Sequence, residues 1–325
     1  MDDWPAGVIH ALQLDGTGGA GAVSWDEVLA WRPGEGCLWV HLHLDEPEAR
    51  AWLEEASGLN DIAVDGLLME ETRPRVLTRG SNLLLTLRGI NLNPGEDPED
   101  MVSLRLWSDG ERIISVRRRR LQSTEDLLAL LQRGDGPVSA VELLVAWLDR
   151  LVDRMGDSIE GFEDAALALE EDLIANETGQ LRGAVALLRK RTISVRRYLA
   201  PQREALARLT AEPLTWIGEL DRLRLREIAD RQVRLVEAID ELRERAAVAH
   251  DELAARLSEQ LNARMYLLSL VAALFLPLGF FTGLMGINVG GMPGVDSDIA
   301  FWFVAGGCAV AAALVLLAFR LRRWL

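Results

Sequence analysis

Two stretches near the C-terminus each run for 21 residues without a charged side chain: MYLLSLVAALFLPLGFFTGLM (Met265 to Met285) and IAFWFVAGGCAVAAALVLLAF (Ile299 to Phe319). As helices, at 1.5 Å per residue, both are long enough to cross a hydrocarbon core of about 30 Å. Neither has the polar face that a surface helix of a soluble protein needs. Two membrane spans are the first expectation, joined by the loop GINVGGMPGVDSD and followed by RLRRWL.

Charge is divided unevenly along the chain. The formal net charge is −15, yet residues 265–325 hold three arginines against two aspartates, which leaves −16 on the first 264 residues. So acidic a front part disfavours nucleic acid as a partner and favours cations. Cys37 and Cys308 are the only cysteines, too few for a disulfide framework, and a reducing compartment suits them. MDDWPAGVIH has neither a basic nor an apolar signal region. The expected topology is therefore multi-pass in a bacterial cytoplasmic (inner) membrane, with both termini cytoplasmic. Arg320, Arg322 and Arg323 then obey the positive-inside bias. The loop carrying Asp296 and Asp298 faces outward, where those acids attract cations.

The spacing of apolar residues predicts three parts: a mixed α/β domain over 1–136, a helical hairpin and long stalk helix over 137–264, and the two spans over 265–325. GVIHALQL, CLWVHLHL, PRVLTRGSNLLLTLRGINL and MVSLRLWSDGERIISVRR read as strands. Asp109-Gly110 makes a tight turn. Pro47 to Ala56 begins like a helix, and Ser123 to Asp126 opens another. Pro137 to about Asn176 is an acid-rich helix and Thr178 to about Leu209 an arginine-rich one. They read as a hairpin joined near Asn176 to Gly179, whose acidic and basic faces can pair.

Beyond Ala211-Glu212-Pro213 no proline occurs until Pro277, so one helix is expected from about Leu214 to Met285. Leu235, Ile239, Leu242, Ala246, Ala249 and Leu253 form the seam of a coiled coil or helical bundle at spacings of four and three, continued by Leu257 and Leu261 after a stutter. A helix seamed at one end and apolar at the other implies an oligomer with its first spans side by side.

Some residues admit two readings. His41 and His43 lie two apart on a strand and share a face, as a weak metal pair would; an ordinary, partly exposed strand face is the plainer reading. Asp153, Asp157, Glu160, Glu163 and Asp164 recur at helical spacing and read first as a solvated face, with cation attraction or pairing with the next helix as the other readings. Arg117 to Arg120 read as a solvated or interface patch. Gly306 and Gly307 read as a close helix contact. Neither a phosphate-binding loop nor a nucleophile elbow is present, so no enzyme is expected.

The first span ends in Gly286-Ile287-Asn288. At this point the chain resembles the CorA superfamily of divalent-cation transporters, two-span proteins with a Gly-x-Asn signature. FLPLGFFTGLMGINVGGMPG is most similar to the zinc-transporting ZntB branch. The resemblance implies a homopentameric funnel: an α+β cytoplasmic domain, a long-helix stalk and two transmembrane helices per copy, with the first span lining the pore.

Family pore positions fall on Asn262, Met265, Leu268, Ala272, Leu276, Gly279 and Asn288. Helical spacing alone gives 262, 265, 269, 272, 276, 279 and 283. Ile287 stands where many members have Met, Gly279 where they have a hydroxyl, and Met292-Pro293-Gly294 where a Met-Pro-Glu signature is usual. These departures favour Zn2+ as the transported ion over Mg2+, with Co2+, Cd2+ and Ni2+ as further ions of the shared scaffold. No resident cofactor is implied.

A ring of Asn288 carboxamides would capture a hydrated ion, and Leu276 and Met265 would constrict an apolar tube that gates by dewetting. The zinc branch implies proton coupling, yet the first span holds no ionisable side chain. The alternatives are a CorA-type magnesium or cobalt channel and, in another class, a membrane-tethered coiled-coil scaffold or sensor.

Overall fold

A computed structural model describes residues 4–70, 73–174, 181–287, 294 and 297–321. The chain divides into two units, Met1–His250 and Asp251–Leu325.

The first unit is built on a seven-stranded sheet. In chain order its strands are β1 (Val8–Leu14), β2 (Ala20–Ala22), β3 (Leu38–His43), β4 (Arg75–Arg79), β5 (Asn82–Gly89), β6 (Val102–Ser108) and β7 (Arg112–Arg117). They lie in the order β2-β1-β3-β7-β6-β5-β4. Among these pairs β3 and β7 are parallel and the rest antiparallel. The two long expected stretches resolve into hairpins, β4–β5 and β6–β7. At the second turn Gly110 adopts φ +98°, and the Asp109 carboxylate accepts from the amides of Glu111 (3.0 Å) and Arg112 (2.7 Å). Only glycine takes that φ without strain. A Cβ there would also lie 2.4 Å from the Trp216 ring.

Both faces of the sheet are covered, which is why β3 reads as a continuous apolar run rather than an alternation. On one face Leu38, Val40 and Leu42 pack with the helices α1 (Trp25–Ala30), α2 (Pro47–Glu55) and α3 (Asp61–Leu68) through Val28, Trp52, Leu53 and Leu67. On the other, Trp39 and His41 meet Trp147, with ring centroids 5.2 and 6.3 Å away. α1 is only six residues long, too short to show a period, although Ser24 and Glu27 form a reciprocal capping box at its start. α4 (Gln122–Arg133) differs from expectation at its N-terminus. Leu121 is the N-cap and makes no side-chain cap bond, and Ser123 and Thr124 are buried instead of capping.

The long helices follow as α5 (Ala140–Ile174), α6 (Leu181–Ala211) and α7 (Glu219–Met285). The expected hairpin joint, Asn176 to Gly179, lies outside the described residues. α5 and α6 pack together, but among the described residues their ion pairs run to other elements, α7 foremost, instead of to each other. Arg231 of α7 pairs with both Asp149 and Asp153 of α5. Arg245 of α7 grips Glu170 of α5 through two bonds of 2.8 and 3.0 Å, and Arg196 of α6 pairs with Asp240 of α7.

α7 turns a stripe into this layer: Ile228, Gln232, Val236, Ile239, Leu242, Ala246 and Ala249 are buried. The seam is thus real, but the chain's own hairpin covers its upper part, so it no longer argues for contact between copies. It runs through Val236 instead of the half-buried Leu235, and Leu257 and Leu261 are exposed. Gln202 and Gln232, both fully buried, join the layers: the Gln202 Oε1 accepts from the Arg88 amide (2.7 Å), and its Nε2 lies 3.5 Å from the Gln232 Oε1. Buried amides are tolerated when paired in this way.

The run Arg117 to Arg120 is spent locally. Arg117 and Arg120 pair with Glu125, Arg118 with Asp45 and Glu70, and Arg119 with Glu96 and Asp100. In the acidic stretch of α5, Asp153 is held by Arg150 and Arg231.

Two outcomes are expected of the full-length protein. Gly110→Ala, strained in φ and pressed against Trp216, should lose about 1–3 kcal/mol of stability in a denaturant melt followed by tryptophan fluorescence. The second concerns His41, fully buried with its imidazole held neutral by burial, well below the ordinary pKa of 6.5. Below about pH 6.5 the unfolded chain takes up a proton that folded His41 refuses. Stability is therefore intact above that pH and falls beneath it by about 1.4 kcal/mol per pH unit for this group. His41→Gln should flatten that fall. His10, also lowered by burial, should retain its share.

Candidate ion path

The second unit contains the C-terminal part of α7 and a further helix, α8 (Ala300–Leu321). Both are long and apolar enough to cross a membrane, and neither is buried within the chain over its apolar window. α7 continues as helix through Pro277 to Met285. It stops where the signature begins: the Gly286 amide donates to the Gly283 carbonyl (3.0 Å), and Gly286 leaves the helix without a left-handed φ. Ile287 follows, half exposed. Asn288 and Asp296 lie outside the described residues. Asp298 is exposed in the turn before α8.

Burial separates the faces of the two helices. On α8 the half-covered residues are Ala300, Val304, Cys308, Ala312, Val315 and Phe319, a stripe at intervals of four and three. On α7 they are Leu270, Ala273, Leu274 and Leu278. Such paired stripes are what a helix–helix contact leaves. The expected pore residues are all exposed and sit elsewhere on α7: Asn262, Met265, Leu268, Ala272, Leu276 and Gly279. At 3.6 residues per turn their mean direction is roughly 160° from the half-covered stripe. Leu276 is 71% exposed, Leu268 69% and Met265 64%. Leu268 and Ser269 are both exposed and flank the centre of this face about equally, so either fits it.

The α8 stripe was missed from sequence, though its small residues every fourth position carry the signal. Gly306 and Gly307, expected at a close helix contact, have open space where a Cβ would stand. The half-covered stripe from Ala300 to Phe319 runs through other positions of α8.

The chemistry of the uncovered face is simple. From Met265 to Met285 there is no His, Cys, Asp or Glu, so it holds none of the usual zinc ligands. Among the described residues no group of three or more His, Cys, Asp or Glu converges as a metal site. His41 and His43 do share a face of β3, in the first unit, but the strand is not the partly exposed one expected. His41 is buried, its Nδ1 2.8 Å from the Ser115 hydroxyl and its ring stacked on His10 at 6.1 Å. His43 is half-buried, and its Nδ1 accepts from the Asp45 amide at 3.3 Å.

Known proteins share this arrangement. The family described as CorA-like Mg2+ transporter protein matches residues 34–323. The divalent cation transporter CmaX of Pseudomonas aeruginosa is 42% identical over 98% of this chain and 97% of its own length. The zinc transport protein ZntB of Yersinia enterocolitica is 39% identical over 95% of this chain and 92% of its own. The structure of the full-length CmaX protein superposes with a TM-score of 0.85 at 39% identity, covering 98% of this chain and all of that one. The chain belongs to the CorA-like Mg2+ transporter family, a family of divalent-cation transporters rather than enzymes.

Proposed function

We propose that the chain moves divalent cations across a bacterial cytoplasmic membrane, zinc foremost, as a homopentamer whose first spans line one shared pore. The reading rests on a single observation, the apolar face of α7 that stays exposed within one chain, opposite the half-covered Leu270, Ala273, Leu274 and Leu278. That face can be buried against neighbouring copies or line a conduit, while α8 forms the outer ring against lipid. In this arrangement the path runs from Asn288 past Gly279, Leu276, Ala272 and Leu268 to Met265 and Asn262. The α/β domain over 1–136 and the helices over 137–264 lie on the cytoplasmic side, with both termini.

The residues decide how an ion would travel. Five Asn288 carboxamides offer oxygens but no charge, and stripping a small divalent ion of all its waters is costly. The ion therefore enters hydrated, captured through its water shell, with Asp296 and Asp298 raising its local concentration. Leu276 and Met265 form rings that close by expelling water. Zinc is favoured by the ZntB relative and by Ile287 and Gly279 in place of the usual Met and hydroxyl. A magnesium or cobalt channel is the second reading, favoured by the family's own description. Proton coupling would have to use water or groups outside 265–285, because the span has no ionisable residue.

Liposomes with imposed gradients test this. Asn288→Ala should lower zinc flux by more than about tenfold while the pentamer persists by native mass spectrometry, since each subunit loses a hydrogen-bonding group worth about 1 kcal/mol. Unchanged flux would leave the scaffold reading standing. Leu276→Ser should raise resting flux by wetting the constriction. Magnesium flux far above zinc would promote the second reading. Zinc flux indifferent to a pH gradient would remove coupling.

A further inference from the structure

We propose that a cavity between α3 and the β4–β5 hairpin binds a small, singly charged carboxylate with a flat apolar body. The cavity belongs to the first unit and takes no part in the ion path. Its volume is about 240 Å³, space for about eight waters at some 30 Å³ each. That is below the usual range for drug-sized ligands and suits a single ring with one polar group.

The walls choose the body. Ile62, Leu77, Leu84 and Trp107 line the cavity, and Ile62 and Leu77 remain 60% and 40% exposed. These two are apolar surface left uncovered at the opening, while Leu84 and Trp107 reach the core behind it. The indole offers a flat aromatic edge, on which a planar ring packs better than a branched chain.

The polar groups choose the head. Arg79 stands exposed at the rim and forms no ion pair with any described residue. Across the turn Asn82 adds a carboxamide. The guanidinium fork matches a planar carboxylate through two parallel bonds. One cation balances one charge, which favours a carboxylate over a doubly charged phosphate. A further polar group awaits a partner: the Trp107 Nε1 is buried, in a residue only 4% exposed, and has no acceptor among the described residues. A buried donor left unpaired costs free energy.

The test uses the full-length protein in lipid nanodiscs, with 4-fluorobenzoate as probe and 4-fluorobenzyl alcohol as its uncharged counterpart, both read by fluorine NMR line broadening. The acid should bind saturably with a dissociation constant on the order of 1 mM, and the alcohol at least about tenfold more weakly. Arg79→Gln should weaken the acid by about tenfold. Leu77→Glu, an exposed edge position that sets a like charge beside the head group, should do the same. Both substitutions are at the surface, so folding is preserved. Equal binding of acid and alcohol, or acid binding that survives either substitution, would mean partition into lipid or another site, and would overturn the proposal.

Discussion

Water is a poor solvent for the last part of this chain, and most of what distinguishes the molecule follows from that. Met265–Met285 and Ile299–Phe319 have no polar face, and within one chain their apolar windows stay unburied. The two helices can cover only one stripe of each other, so most of their surface must meet lipid or another copy. Association in lipid lacks a hydrophobic drive and depends on close packing and hydrogen bonds. The small residues of both spans suit this: Gly279 and Gly283 on α7, like Gly306 and Gly307 on α8, have open space beside them.

The first unit solves a different problem, that of an acidic chain which must still fold. Its carboxylates are matched by arginine across elements more than along them. Arg231 holds two aspartates of α5, Arg245 a glutamate further along α5, and Arg119 two acids of the β5–β6 loop. Partly exposed pairs contribute little singly. Their arrangement matters more for register, since each arginine on α7 meets its acid at only one axial setting of the helices. The apolar stripe from Ile228 to Ala249 supplies the adhesion, and the ion pairs select the alignment.

Legibility followed length and periodicity. The strands other than the three-residue β2, the break at Ala211 to Pro213 and the two spans could be read because each depends on a local pattern or a local breaker. The helices α1 and α3 could not, being short and, unlike the equally short α2 with its Pro47, opened by no proline. Asp109-Gly110 was legible because a turn has few chemical solutions. The N-terminus of α4 was misread because Ser123 and Thr124, good caps in isolation, are drawn into the core. The seam on α7 was visible, but its partner was not: periodicity reports that a face is buried and says nothing about what buries it. The same limit applies to His41 and His43. Their shared face was readable, while the burial of His41 beneath Trp147 depends on α5, a hundred residues further along.

Periodicity alone picks out a face of the first span, and resemblance to the CorA superfamily picks out nearly the same one. Exposure does not single these residues out, because within one chain all of Met265–Met285 is exposed except Leu270, Ala273, Leu274 and Leu278. A face with neither charge nor the usual metal ligands cannot choose an ion by gripping it. On the proposed reading, selection falls to the cost of thinning the hydration shell in a narrow apolar tube, and to carboxamides that address the shell from outside. Such a device discriminates by the size and firmness of the hydrated ion. A scaffold of this kind can therefore pass from one divalent ion to another by changing a few side chains, such as those at 279 and 287, without rebuilding any binding site.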